Sequence, residues 1–146
     1  MRDRWKRYTG LKNLADNREA QAAKALATSM QQLQAKQAEL DRLRSYAAEY
    51  QLGYQDKATD RARLSNLHTF TSQLSGVVKR LEDEVESARQ AMRADMEQWR
   101  GGYRHSKALE QLVEKYRREL VNLEESQEQK ELDERNARPK DGNAVS

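Results

Sequence analysis

No cysteine occurs among the 146 residues, which removes disulfide frameworks and thiolate metal sites at once. Proline occurs once, at Pro139, and glycine six times, so chain punctuation is scarce. Isoleucine is absent, and Leu, Val and Phe together supply only 23 residues, or 16% of the chain. A sandwich, a barrel or an α/β enzyme needs many turns and β-branched strands, and this chain has neither. So few large apolar residues would suit a disordered chain if the net charge were large, but it is only +3. No apolar run approaches the roughly 20 residues that span a bilayer, and no apolar stretch follows the basic start Met1-Arg2-Asp3-Arg4-Trp5-Lys6-Arg7. The reading is a soluble, intracellular protein of one domain at most.

What the chain does have is Ala, Glu, Lys, Leu and Arg, 76 residues or 52% of the total, the composition of a long helix or coiled coil. Basic and acidic residues, 27 and 24, make a mixed surface, yet they are unevenly placed. Residues 1–12 carry a net +4 and residues 124–135 a net −4.

The first long segment runs from about Leu11 to Tyr54. Leu26, Leu33, Leu40, Ala47 and Tyr54 recur every seven residues, and Ala22, Leu43 and Tyr50 fall in the second seam position. Ser29 and Lys36 interrupt that second row, leaving a heptad stripe with polar defects. A link at about 55–60 follows, with Gly53 able to end one helix and Thr59 or Asp60 to cap the next. The second segment runs from about Arg61 to Arg138. Its stripe begins Leu64, Leu67, Phe70, Leu74, Val77, Leu81, Val85, continues through Trp99 and Tyr103, and ends at Leu120 and Leu123. Ala88, Met92 and Met96 step by four twice, a stutter that locally unwinds a supercoil. Gly101-Gly102 costs about 1 kcal/mol per glycine relative to alanine and predicts a bend or soft point. Pro139 stops the helix, and residues 139–146 read as a disordered tail.

A short link between two such helices predicts an all-α fold, one antiparallel two-helix coiled-coil hairpin over residues 1–138. Such a hairpin has no interior in which polar groups converge, so an enzyme is not expected, nor a cofactor. His68 and His105 lack metal-site spacing, and Gly101-Gly102 lacks the Lys-Ser/Thr of a phosphate loop. Glu82, Asp83, Glu84 and Glu86 point in successive directions and read as a solvated face. Trp5 and Tyr8 among basic residues could stack on bases or meet a membrane surface, but a frayed helix start accounts for them more simply. Trp99 reads as a bulky seam residue. Folding about residue 58 brings Tyr46 opposite Phe70, so Leu43, Tyr46, Tyr50, Phe70, Leu74 and Val77 should form one apolar and aromatic patch beside the link. Tyr46 falls outside the strict seam, and the patch reads equally as core or as a docking surface.

Several features carry a resemblance to a known family. Leu43-x2-Tyr46-x3-Tyr50 precedes the link, and Phe70-x3-Leu74-x2-Val77 opens the second helix. Trp99 lies mid-helix, followed by Leu109-Glu110-x-Leu112 and the closing Gln129-Lys130-x-Leu132-Asp133-Glu134. In order and spacing over roughly residues 11–138 the chain resembles the FliJ family of the flagellar type III export apparatus. The resemblance implies an antiparallel coiled coil similar to the part of the rotary ATPase γ subunit that enters its ring. It implies a stalk in the hexameric export ATPase that promotes ring assembly and links the ring to the cytoplasmic domain of the export gate, with the ATPase and its regulator as partners. It also implies an escort role toward export chaperones, at the cytoplasmic face of the inner membrane and peripheral to it.

The family's gate-contacting surface maps to Leu43, Tyr46, Tyr50, Phe70, Leu74 and Val77, with two departures, Glu39 in place of Gln and Leu81 in place of His. Its ring-inserted end maps by location to Leu11, Leu14 and Arg18 on one helix and Arg117, Arg118, Leu120 and Leu123 on the other. An injectisome stalk shares the fold. A generic coiled-coil scaffold would be a dimer, whereas the hairpin should be a monomer. A nucleic-acid binder acting through residues 2–12 would lose its grip at physiological salt, so no nucleic-acid partner is expected.

Overall fold

Long runs of Ala, Leu, Glu, Lys, Gln and Arg favour helix at nearly every position. The computed structural model describes residues 2–55 and 61–137, and among them it contains two helices: α1 (Arg2–Gln55) and α2 (Arg61–Ala137). They pack against each other as an antiparallel hairpin. The expected link at residues 56–60, the caps at Thr59 or Asp60, the side chain of Tyr54, the stop at Pro139 and the tail all lie outside the described residues.

Helix α1 starts at Arg2, nine residues before Leu11, and it continues through Gly53. The earlier start has a packing cause. Counting back from Leu26 in sevens reaches Glu19, Lys12 and Trp5, and from Ala22 it reaches Ala15 and Tyr8. All of these are buried or half-buried, so the alternating three- and four-residue steps run from Trp5 to Tyr50 without a break. Trp5 and Tyr8 are therefore seam residues rather than a frayed start. Leu11 and Leu14 are off the seam and exposed, 43% and 48%.

In α2 the same alternation of burial runs from Leu67 through Val78, Leu81, Val85, Ala88 and Met92 to Leu120. After Met92 the next seam position is Asp95, not Met96 alone. The expected stutter is thus absent, because a carboxylate that receives a hydrogen bond occupies the layer an apolar residue would have filled. Val78 rather than Val77 faces inward. The helix is unbroken at Gly101-Gly102.

The chain resolves into two compact units. One comprises Ala20–Gly101. Its buried cluster is Leu40, Leu81 and Val85, with Leu33, Leu43 and Val78 packed around it. Lys36 pairs with Glu84 at 3.0 Å and Arg44 with Glu82 at 2.9 Å, and the Tyr50 and Phe70 rings meet at 4.3 Å. As the α1 numbers rise the α2 numbers fall, which is the antiparallel sense. Leu81 lies in this core.

The other unit comprises the residues up to Glu19 and those from Gly102 onward. Ala15 and Leu109 are buried, and the Tyr8 and Tyr116 rings pack at 5.0 Å with the Arg4 guanidinium 5.5 Å from the Tyr116 centroid. Gly102 sits close to α1. A Cβ placed on it would stand 3.6 Å from the Glu19 Cα, ordinary contact distance. Arg2 pairs with Glu124 at 3.4 Å, and no residue of α2 from Val121 to Ala137 is buried.

Because Leu40 is only 2% exposed within a cluster of three buried residues, it is a large part of the apolar burial in its unit. Leu40→Ala should lower the stability of the hairpin by about 2–4 kcal/mol. Leu52→Ala, at a position 66% exposed, should change it by less than about 0.5 kcal/mol. Thermal denaturation followed at 222 nm checks both.

Candidate functional site

The patch beside the link is built from both sides of the hairpin in the Ala20–Gly101 unit. Tyr50 is a half-buried seam residue whose ring lies against Phe70, and Tyr46, one helical turn earlier on α1, stacks on Tyr50 with centroids 6.3 Å apart. The three rings thus form a ladder from the seam to the surface. The periodicity places Tyr46 opposite Phe70, but Tyr50 occupies that place. The two helices meet about one turn further along than a fold centred on residue 58 would give.

Of the six expected patch residues, Leu43, Tyr50, Phe70 and Leu74 are half-buried, and Tyr46 and Val77 are exposed, 51% and 42%. Leu43 packs against the Leu40 cluster. Four members thus pack into the fold, while Tyr46 and Val77 stand exposed. Tyr46 and Val77 also hold equivalent positions, each one residue before a seam residue, Ala47 and Val78. In an antiparallel pair such positions face each other along one flank. On the other flank a shallow groove runs past Arg44, Ala48, Gln51 and Ser75, which the heptad stripe does not mark. Counting one residue after each seam position finds it.

The second candidate set lies in the unit that holds both ends of the chain. Leu11, Leu14 and Arg18 are exposed on α1 and Leu123 is exposed on α2, with Leu120 half-buried. Leu11 and Leu14 lie one turn apart on α1, so they share one face outside the seam. Arg117 and Arg118 are exposed but engaged: both donate to Glu114 on their own helix, at 3.2 and 3.4 Å. Their hydrogen bonds hold the Glu114 carboxyl below the usual carboxylate range, Arg117 contributing most. Val121, exposed beside Leu120, joins this surface and escapes sequence reasoning because it lies off the heptad stripe.

Next to this set is a polar network. Lys12 pairs with Asp16 at 2.8 Å, and the buried Ser106 hydroxyl donates to the other Asp16 oxygen. The Lys12 hydrogen bond, and then that of Ser106, hold the Asp16 carboxyl below its ordinary range, and the same bond raises the Lys12 ammonium. Lys107, one residue beyond Ser106, pairs with Glu110 at 3.1 Å and is also raised. Among the described residues, no group of three or more His, Cys, Asp or Glu side chains could hold a metal ion, and no helix is long and apolar enough to cross a membrane. Ion pairing and apolar contact are what these surfaces offer.

The direction of the shifts fixes the pH dependence. Asp16 and Glu114 are lowered, so their contribution to stability is complete above the ordinary carboxylate range and is lost as pH falls below about 4. Lys12, Lys36 and Lys107 are raised, so theirs is complete below about pH 10 and is lost as pH rises beyond it. The melting temperature should be flat between these limits and fall on either side. Asp16→Asn should flatten the acid limb, which a pH series of thermal melts would register.

The family model described as FliJ: Flagellar FliJ protein matches residues 5–139. No curated protein and no solved structure matches the chain.

Proposed function

The chain belongs to the FliJ family of the flagellar export apparatus, and on that premise we propose that it is the coupling stalk of the export ATPase. It promotes assembly of the ATPase hexamer and links the ring to the cytoplasmic domain of the export gate, with the ATPase and its regulator as partners. It also receives export chaperones, and it works at the cytoplasmic face of the inner membrane without entering it. It carries out no reaction itself.

The observation that carries this reading is the ring ladder. Tyr46 is a large aromatic residue half out of the fold, braced by Tyr50 and through it by Phe70. A braced, exposed aromatic beside an exposed Val77 is the form that interface anchors take, because little side-chain entropy remains to be lost on binding. The second support is the exposed Leu11, Leu14 and Arg18 on α1, with Leu123 further along on α2 beside the Arg2–Glu124 pair, which would offer separate contacts to the ring. A two-helix hairpin has little enclosed space in which polar groups could converge on a substrate.

The exposure values separate binding from folding. Tyr46→Ala combined with Val77→Ala should weaken binding to the cytoplasmic domain of the export gate about tenfold or more. The melting temperature and the stimulation of the ATPase should stay close to wild type. Calorimetric titration and thermal melts measure the two effects. Unchanged gate affinity would remove the patch from the proposal.

A further inference from the structure

The start of α1 carries a second stripe beside the seam, and the charges around it are sorted by side. Arg4, Arg7, Leu11, Leu14 and Arg18 are all exposed and follow one another in steps of three and four. At about 100° per residue they fall within roughly 80° of one another, on a face turned about 100° from the seam row of Trp5, Tyr8, Lys12, Ala15 and Glu19. Lys6, also exposed, borders that face. Arg2 and Asp16 lie on the opposite side of the seam, and it is there that Arg2 pairs with Glu124 and Lys12 with Asp16. Among the described residues no carboxylate pairs with Arg4, Lys6, Arg7 or Arg18. Arg4 lies over the Tyr116 ring and Arg7 over the Tyr8 ring, contacts that leave their charge uncompensated. Asp3 is the one acid on this side of α1 up to Arg18.

We propose that this face of α1 binds an anionic lipid surface. Two leucines about one turn apart, set among cations on long side chains, are the make-up of a helix that lies in the plane of a bilayer interface. The leucines reach among the headgroups, and the guanidinium groups stay with the phosphates. Arg4, Lys6, Arg7 and Arg18 against Asp3 give the face a net +3. Each cation held at an anionic surface tightens binding about fivefold. Nucleic acid offers the same phosphate charge but has no use for the leucines. The aromatic residues that would stack on bases, Trp5 and Tyr8, are taken up by the seam. An acidic protein would have to be shaped to a convex helix flank, whereas fluid headgroups shape themselves to it.

Where the chain works at the inner membrane, as proposed above, this face supplies a means of attachment. Leu11, Leu14 and Arg18 are also the α1 residues assigned above to the ring, so bilayer and ring would compete for them. Lipid binding is measured without the ATPase, so its failure leaves the ring contact standing, and failure of the ring contact leaves lipid binding standing.

The test is vesicle sedimentation with the full chain in about 0.1 M salt. Vesicles of equal parts phosphatidylglycerol and phosphatidylcholine should carry the chain down, and vesicles of phosphatidylcholine alone should not. Lys6→Gln with Arg7→Gln and Arg18→Gln, which spares Arg4 on its ring, should weaken binding about a hundredfold. Arg7→Lys with Arg18→Lys, which keeps the charge, should bind within about threefold of wild type, so the loss in the glutamine variant is one of charge and not of structure. Lys24→Gln with Arg42→Gln and Lys79→Gln removes three exposed cations elsewhere and should also stay within about threefold. Leu11→Ser with Leu14→Ser should weaken binding about tenfold. A chain that stays in solution with the anionic vesicles, or binds neutral ones equally, would overturn the proposal. So would a distant charge variant that loses as much as the Lys6, Arg7 and Arg18 variant. A leucine variant that binds as tightly as wild type would overturn it too, by showing a bare charge patch suited to an acidic protein or a nucleic acid.

Discussion

Two helices share one seam, and among the described residues both helices contribute to it. Most of the molecule follows from this constraint. There is room for about one inward residue in three or four, so the remaining positions must be content in water. The 35% of charged residues are what such a chain requires. The grooves among the described residues lie open on the helix flanks.

Within each unit the seam has its own character. In the Ala20–Gly101 unit, Leu40, Leu81 and Val85 supply a compact apolar cluster that passes toward Phe70 into a set of rings. In the other unit aromatic packing of Tyr8 on Tyr116 accompanies a polar layer in which Lys12, Asp16 and Ser106 satisfy one another. Apolar burial supplies stability in the first case.

Composition and sevenfold spacing make the helices, their antiparallel sense and the seam from Ala22 to Tyr50 legible in the amino-acid sequence alone. They fail where a polar residue stands in an apolar row. Lys12 and Glu19 conceal the continuation of the stripe to Trp5, so Leu11 and Leu14 resemble members of a seam they do not join. Asp95 conceals the layer after Met92, so Met96 imitates a stutter. The six patch residues are recognisable as a group, but the division between bracing and exposed members depends on the three-dimensional offset of the helices. An offset of one turn decides whether Tyr46 or Tyr50 meets Phe70, and periodicity alone does not fix that offset.

The chain belongs to the FliJ family, and the proposal made for it is that it acts by contact. The most direct measurement mixes the purified chain with the export ATPase and follows hexamer formation and ATP turnover together. The account predicts that added chain increases both. Turnover and oligomer distribution that stay unchanged across the titration would contradict it.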